Sequence, residues 1–175
     1  LLRRQLARDL QTVPTSSMGR LFDAVASLLG VCHYAGYEAQ AAIELEGIAG
    51  DDITAPYAFA LRDILIDPAP VLHGITAQLR DGVPPATIAA HFHAATANMI
   101  AAASVVARER SALNTVALSG GVFQNVRLLT LARHRLESHG LTVLSHRRVP
   151  PNDAGLALGQ AIIAACSFDE PPGSP

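Results

Sequence analysis

The chain contains no lysine: all thirteen of its basic residues are arginine. That absence removes the lysine-dependent P-loop and every Schiff-base lysine mechanism from this chain. Cysteine is almost as scarce, with only Cys32 and Cys166. The two lie far apart with no metal-ligand spacing, so a reduced protein with two ordinary thiols is expected, not a disulfide scaffold. No apolar run reaches the length of a membrane span, and Leu1-Leu2-Arg3-Arg4 has no signal-peptide architecture. A cytoplasmic location without a membrane partner is the expectation. An excess of one charge is missing too. The net charge of −2 gives no electrostatic footprint for nucleic acid and, with half the residues apolar, no signature of disorder. No internal repeat is present.

What is there is enough apolar sequence, in 175 residues, for one good core or for a domain with a tail. Residues 1–12 place Leu1, Leu2, Leu6 and Leu10 among Arg and Asp, an amphipathic helical pattern. After the break at Pro14-Thr15-Ser16-Ser17, apolar residues from Met18 to Leu29 repeat at helical spacing until Gly30, and Asp23 belongs to that helix. A second helical pattern runs from Glu38 to Ile48, with Glu38 expected in its first turn, where a carboxylate suits the helix dipole. Tyr57 to Leu61 and Ile64 to Ile66 read as two short strands joined at Arg62-Asp63. Asp67-Pro68-Ala69-Pro70 then caps a helix from Val71 to Leu79. A long alanine-rich helix follows, roughly Ala86 to Arg110, long enough to cross a domain face. His91 and His93 on it stand about 200° apart and cannot chelate one metal together. One is expected to be buried and the other exposed.

The most informative stretch is Val116 to Asn125. The apolar run Val116-Ala117-Leu118 stops at Ser119-Gly120-Gly121, and a helical pattern begins at once with Val122, Val126 and Leu129. Two adjacent glycines allow positive φ and a close backbone approach, and the free N–H groups of a new helix favour an anion or a polar ligand edge. The turn is therefore a candidate nucleotide site. Gly140 ends the helix and Leu141 to Leu144 forms a second strand, which completes a βαβ unit with both strands parallel. Ligands gather at the carboxyl ends of such strands. Ser119-Gly120-Gly121 and the loop from His146 to Gly155 should thus open at one rim. Asn152 or Asp153 is expected to cap a closing helix from Gly155 to Cys166, with Asp153 facing the glycine turn. The acidic, proline-rich tail from Ser167 to Pro175 is expected to be disordered.

Four stretches, Thr15 to Val25, Tyr37 to Ala42, Ser119 to Asn125 and His146 to Gln160, in this order and spacing, resemble the carboxyl-terminal part of the hydrogenase-maturation carbamoyltransferase family HypF. The likeness extends more loosely to antibiotic O-carbamoyltransferases and to the tRNA threonylcarbamoyladenosine transferases. It implies an α/β fold, the second lobe of an actin-like ATPase, with a mixed sheet and flanking helices over residues 1–167 and the tail from 168 onward. It also implies a reaction: carbamoyl phosphate and ATP yield carbamoyl-adenylate, and the carbamoyl group passes to the C-terminal cysteine of a HypE-like partner on the route to nickel–iron hydrogenase.

In that picture Asp23 holds ribose hydroxyls, Gly36 and Glu38 form the next wall of the nucleoside pocket, and Ser119, Gly120, Gly121 and Asn125 meet adenosine and phosphate. Asp153 is the single metal-ligating, catalytic carboxylate of this lobe, suited to a divalent ion such as iron or magnesium. His146 and Arg147-Arg148 are candidates to line the same rim. This sequence departs from the family in three respects. It has no His-x-x-x-His, so the remaining metal ligands would come from the other lobe; the glycines usual after Glu38 and Asp153 are Ala39 and Ala154; and the acylphosphatase-like, zinc-binding and adenylate-forming parts are absent. At positive φ an alanine costs about 1 kcal/mol. The expectation is a fragment of a longer enzyme, inactive alone and able to dimerise through the face its missing lobe would cover. The competing reading is a nucleotide-binding module of an actin-like protein without transferase chemistry, which has no need of Asp153.

Overall fold

The computed structural model describes residues 2–62 and 65–168. Its elements, in chain order, begin with the helices α1 (Leu2–Ala7), α2 (Met18–Leu28) and α3 (Gln40–Ile48). The strands β1 (Ala60–Arg62) and β2 (Leu65–Asp67) come next, then α4 (Ala69–Arg80) and α5 (Pro85–Ser111). β3 (Thr115–Leu118), a 3₁₀ turn (Gly121–Gln124), α6 (Val126–Ser138) and β4 (Thr142–Ser145) follow. A second 3₁₀ turn (Asp153–Gly155) leads into α7 (Leu156–Phe168).

α5 is the element around which the others pack. Every residue from Ile88 to Ala97 on it is buried, with α3, α4 and α6 against different faces. Alanine at so many of these positions lets neighbouring backbones come close, and a helix that is apolar all round belongs inside. Phe22 of α2 meets Phe92 of α5 edge to face, with ring centroids 4.8 Å apart, in a core that also holds Leu45, Ile75, Leu128 and Leu136. The helix therefore runs through the interior instead of across a face. For the same reason both histidines are buried, His91 at 7% exposure and His93 at 0%, where periodicity gave one in and one out. Period alone assigns one buried stripe, and it fails for a helix covered on all sides.

β3 and β4 pair in parallel, Val116 opposite Val143 and Leu118 opposite Ser145, with α6 as the crossover, as the βαβ reading expects. β1 and β2 form a separate antiparallel pair, so among the described residues the strands lie in two small sheets instead of one mixed sheet. The first strand begins at Ala60 and not at Tyr57, whose hydroxyl donates to the Ile88 carbonyl at 3.3 Å. Asp63 and Ile64, where the two strands join, lie outside the described residues.

Other boundaries shift for local reasons. α1 ends at Ala7, the backbone reverses through positive φ at Asp9 and Gln11, and Leu2, Leu6 and Leu10 stay exposed. Glu38 precedes α3 instead of standing in its first turn, because Ala39 takes the left-handed conformation, φ 62° and ψ 9°. Pro68 is the N-cap of α4, and Asp67 just before it accepts the Ala69 N–H on its Oδ1 at 2.9 Å. α7 extends to Phe168, so Ser167 and Phe168 are helical where the tail was expected to begin, and the rest of the tail lies outside the described residues. Among the described residues no helix is long and apolar enough to cross a membrane. Both cysteines are free, and burial raises the pKa of the Cys32 thiol, with Glu44 adding to the shift.

Candidate functional site

The glycine turn and the acid-bearing loop meet as their strands require. The Gly120 N–H donates to the Pro151 carbonyl at 2.8 Å, joining the tip beyond β3 to the loop beyond β4. Gly120 has φ 102° and ψ 155°, a conformation open to glycine, so this position needs the residue it has. Gly155 is required for another reason: a Cβ there would stand 2.8 Å from the Pro150 carbonyl oxygen. Across the β3–β4 ends, His146 Nε2 and Ser119 Oγ lie 2.9 Å apart.

Beside these loops is an open cleft of about 820 Å³. One wall is the start of α2, with Ser17, Arg20, Phe22 and Asp23; the facing wall is Glu38 with the Ala39, Ala42, Ile43 and Glu46 face of α3. The third side is the 3₁₀ turn, with Gly121, Val122, Gln124 and Asn125, and the rim is Asn152-Asp153-Ala154. Five of the sequence-predicted site residues, Asp23, Glu38, Gly121, Asn125 and Asp153, therefore share one cavity. Gly36, Ser119 and Gly120 are not among its lining residues. Gly36 gives its N–H to Gln40 Oε1 at 2.7 Å, Ser119 is engaged by His146, and Gly120 shapes the turn from behind. Arg147 and Arg148 do not line it either.

The turn differs from its sequence reading in a way that matters for ligands. A 3₁₀ turn that begins at the second glycine precedes α6, and Asn125 follows it and caps that helix: its Oδ1 accepts from the Leu128 N–H at 2.7 Å. Glu46 Oε1 accepts from the Arg127 N–H at 2.9 Å. Two of the donors at the head of α6 are thus taken by side chains, and the helix end is not the open anion site that its position suggested. The N–H groups of Gly121 and Val122 have no acceptor inside a 3₁₀ turn that starts with them, and both residues line the cleft. Asn125 is engaged as well, its Nδ2 lying 2.9 Å from His93 Nε2.

Charge in the cleft is mostly negative. Asp23, Glu38, Glu46 and Asp153 face it with Arg20 as the one cation among its lining residues, and Arg20 Nη2 sits 2.8 Å from Asp23 Oδ2. Carboxylates suit hydroxyl donors such as those of a ribose, whereas phosphate oxygens need the backbone N–H groups, Arg20 or a cation. Among the described residues no group of three or more His, Cys, Asp and Glu side chains is arranged to hold a metal ion. Asp153 offers one exposed carboxylate, which does not by itself make a metal site. Arg20 and Glu46 were not picked out by the sequence, and Asn152 was read only as a cap candidate, which it is, its Oδ1 accepting from the Ala154 N–H at 3.3 Å. Glu46 was findable, since it stands seven, four and three residues after Ala39, Ala42 and Ile43 on one helix face.

The cleft thus lies between an acid-bearing helix and a glycine turn at the carboxyl ends of parallel strands. The chain belongs to the family described as carbamoyltransferase, Kae1-like domain, second subdomain, whose pattern matches residues 1–160. It is 40% identical over 170 residues to the carbamoyltransferase HypF of Rhodobacter capsulatus, covering 97% of this chain and 22% of that protein. It is 34% identical to the HypF of Synechocystis sp., covering 91% of this chain and 21% of that one. The crystal structure of full-length HypF in a phosphate- and nucleotide-bound form superposes with a TM-score of 0.88 at 37% identity, over 98% of this chain and 28% of that one. The α/β class and the likeness to the carboxyl-terminal part of HypF stand, and the chain spans about a fifth to a quarter of the length of these curated relatives.

Proposed function

We propose that this chain is the second lobe of a HypF-type carbamoyltransferase, and that its cleft takes the adenosine and phosphate of carbamoyl-adenylate, formed from ATP and carbamoyl phosphate. Attack of the acceptor thiolate on the carbamoyl carbon forms a thiocarbamate and releases AMP, with the C-terminal cysteine of a HypE-like protein as acceptor. The observation that carries the reading is the convergence of Asp23, the Gly121–Val122 turn and Asp153 on one cavity. Its support from relatives is the nucleotide- and phosphate-bound form of the HypF structure that this chain resembles.

Within that reading Asp23 accepts hydrogen bonds from ribose hydroxyls, and the N–H groups of Gly121 and Val122 donate to phosphate oxygens. Asp153 stands at the rim where a divalent ion would supply Lewis-acid polarisation of the carbamoyl group. The residues present do not complete a metal site, so transfer by this chain alone is not expected.

The test uses the full-length protein. Asp23→Ala should weaken AMP binding about tenfold or more, the scale of one charge-assisted hydrogen bond lost. Asp153→Asn should keep AMP binding and abolish metal-dependent carbamoyl transfer. Unchanged binding in the first variant together with unchanged transfer in the second would sink the proposal. Transfer retained in the second alone would favour a nucleotide-binding module without this chemistry.

A further inference from the structure

The proposed chemistry gives no task to His93, yet its ring is fully buried directly behind the cleft wall. Its Nδ1 lies 2.7 Å from the Ala89 carbonyl oxygen, which only accepts, so Nδ1 carries the proton. In the neutral ring Nε2 is then an acceptor, and it receives the Asn125 amide N–H across 2.9 Å. That orientation in turn leaves Asn125 Oδ1 free to cap the Leu128 N–H at 2.7 Å. Each of the three bonds fixes the polarity of the next. The ring also stands edge-on to Phe22, centroids 5.3 Å apart, immediately beside Asp23. One side chain of α5 thus braces both the α2 wall and the glycine-turn wall.

We propose that His93 is a positioning residue whose Nδ1–H tautomer locks the Asn125 amide as the cap of α6 and so holds the Gly121–Val122 turn where it meets a nucleotide phosphate. The inference rests on the reading of the cleft as a nucleotide site. A second proton on His93 would set Nε2–H against the Asn125 N–H and break the lock. Burial, the largest influence, keeps the imidazole below its usual range near 6.5, and Arg127 on α6 acts the same way. The Ala89 carbonyl and Glu46 on α3 act against them. His91, on the same helix, is held elsewhere by Asp52 and Gln78.

The experiment measures AMP affinity of the full-length protein from about pH 8 to about pH 5.5, a range that spans ordinary histidine titration. It compares the unaltered protein with His93→Gln and His93→Leu. Glutamine places an oxygen acceptor near the Nε2 position and does not titrate, whereas leucine keeps bulk but leaves the Asn125 donor unpaired. At pH 8, His93→Leu should bind about tenfold more weakly, roughly 1.4 kcal/mol, and His93→Gln should stay within about threefold of the unaltered protein. Toward low pH the unaltered protein should lose affinity more steeply than His93→Gln. If the leucine protein does not fold, the pH profile of His93→Gln decides alone. Equal affinities at pH 8 for the unaltered protein and His93→Leu, or equal pH profiles for the unaltered protein and His93→Gln, would mean that His93 only fills space, and would overturn the inference while leaving the nucleotide reading intact. Absence of AMP binding by the unaltered protein would overturn both.

Discussion

α5 and α7 are built from much the same material and meet opposite fates. Both are rich in alanine and aliphatic residues, yet α5 is buried throughout its middle and α7 is exposed at every residue from Leu156 to Cys166. α7 has no charged residue between Leu156 and Cys166 and shows Leu156, Leu158, Ile162 and Ile163 to solvent. The difference lies in the neighbours: α3, α4 and α6 pack on α5, while α7 is held chiefly by the 3₁₀ turn in front of it. Composition sets which surface gains from cover, and the rest of the fold decides whether cover arrives.

The largest test of that contrast is a truncation measured by chemical denaturation. Phe92→Ala on α5 should destabilise the chain by about 3–5 kcal/mol, because the site around it is close-packed. Between α5 and α7 in environment is Gly155, where Gly155→Ala drives a methyl group into the Pro150 carbonyl. Overpacking of this kind costs about 1–3 kcal/mol and should lower the unfolding midpoint.

The buried histidine adds a pH dependence to the α5 side only. Its folded-state pKa is depressed below 6.5, so the unfolded chain binds the proton first. The stability contributed by neutral His93 is complete above that value and declines as pH falls from it toward the folded-state value. Melting temperatures followed against pH should show this acid-side loss in the unaltered chain and a smaller one in His93→Gln.

Smaller still is Ala39→Gly, which relieves left-handed strain of about 1 kcal/mol, less what glycine loses in chain entropy. A modest rise in melting temperature is the expected result. At the bottom of the scale, Ile162→Ala on α7 should change stability by no more than about 0.5 kcal/mol in this chain. A loss as large as that of Phe92→Ala would show that α7 is covered after all, and the contrast would fall.

Much of this architecture was legible in the sequence because it depends on local period and local breakers. The ends of α2, the span of α5 and the βαβ unit from Thr115 to Ser145 all follow from apolar spacing punctuated by Gly30, Pro85 and Gly140. The convergence of Asp23, Glu38, Gly121, Asn125 and Asp153 on one cleft was legible only through family likeness joined to strand direction. What stayed hidden depends on residues distant in the chain. Asn125 is oriented by His93, 32 residues away, and the Arg127 N–H is taken by Glu46, 81 residues away. No periodicity encodes such pairings. For that reason the donors at the head of α6 looked open to an anion and are not.

The bond between Gly120 and Pro151 has a consequence for which changes the two loop tips tolerate. Donor and acceptor are both main-chain groups, so replacing the side chain at position 151 leaves the acceptor in place. Position 120 has no such latitude: proline would delete the donor, and any other side chain would pull the backbone away from φ 102°. The link is therefore asymmetric under mutation, robust on the proline side and fragile on the glycine side, and drift at position 120 would uncouple the glycine turn from the loop that carries Asp153.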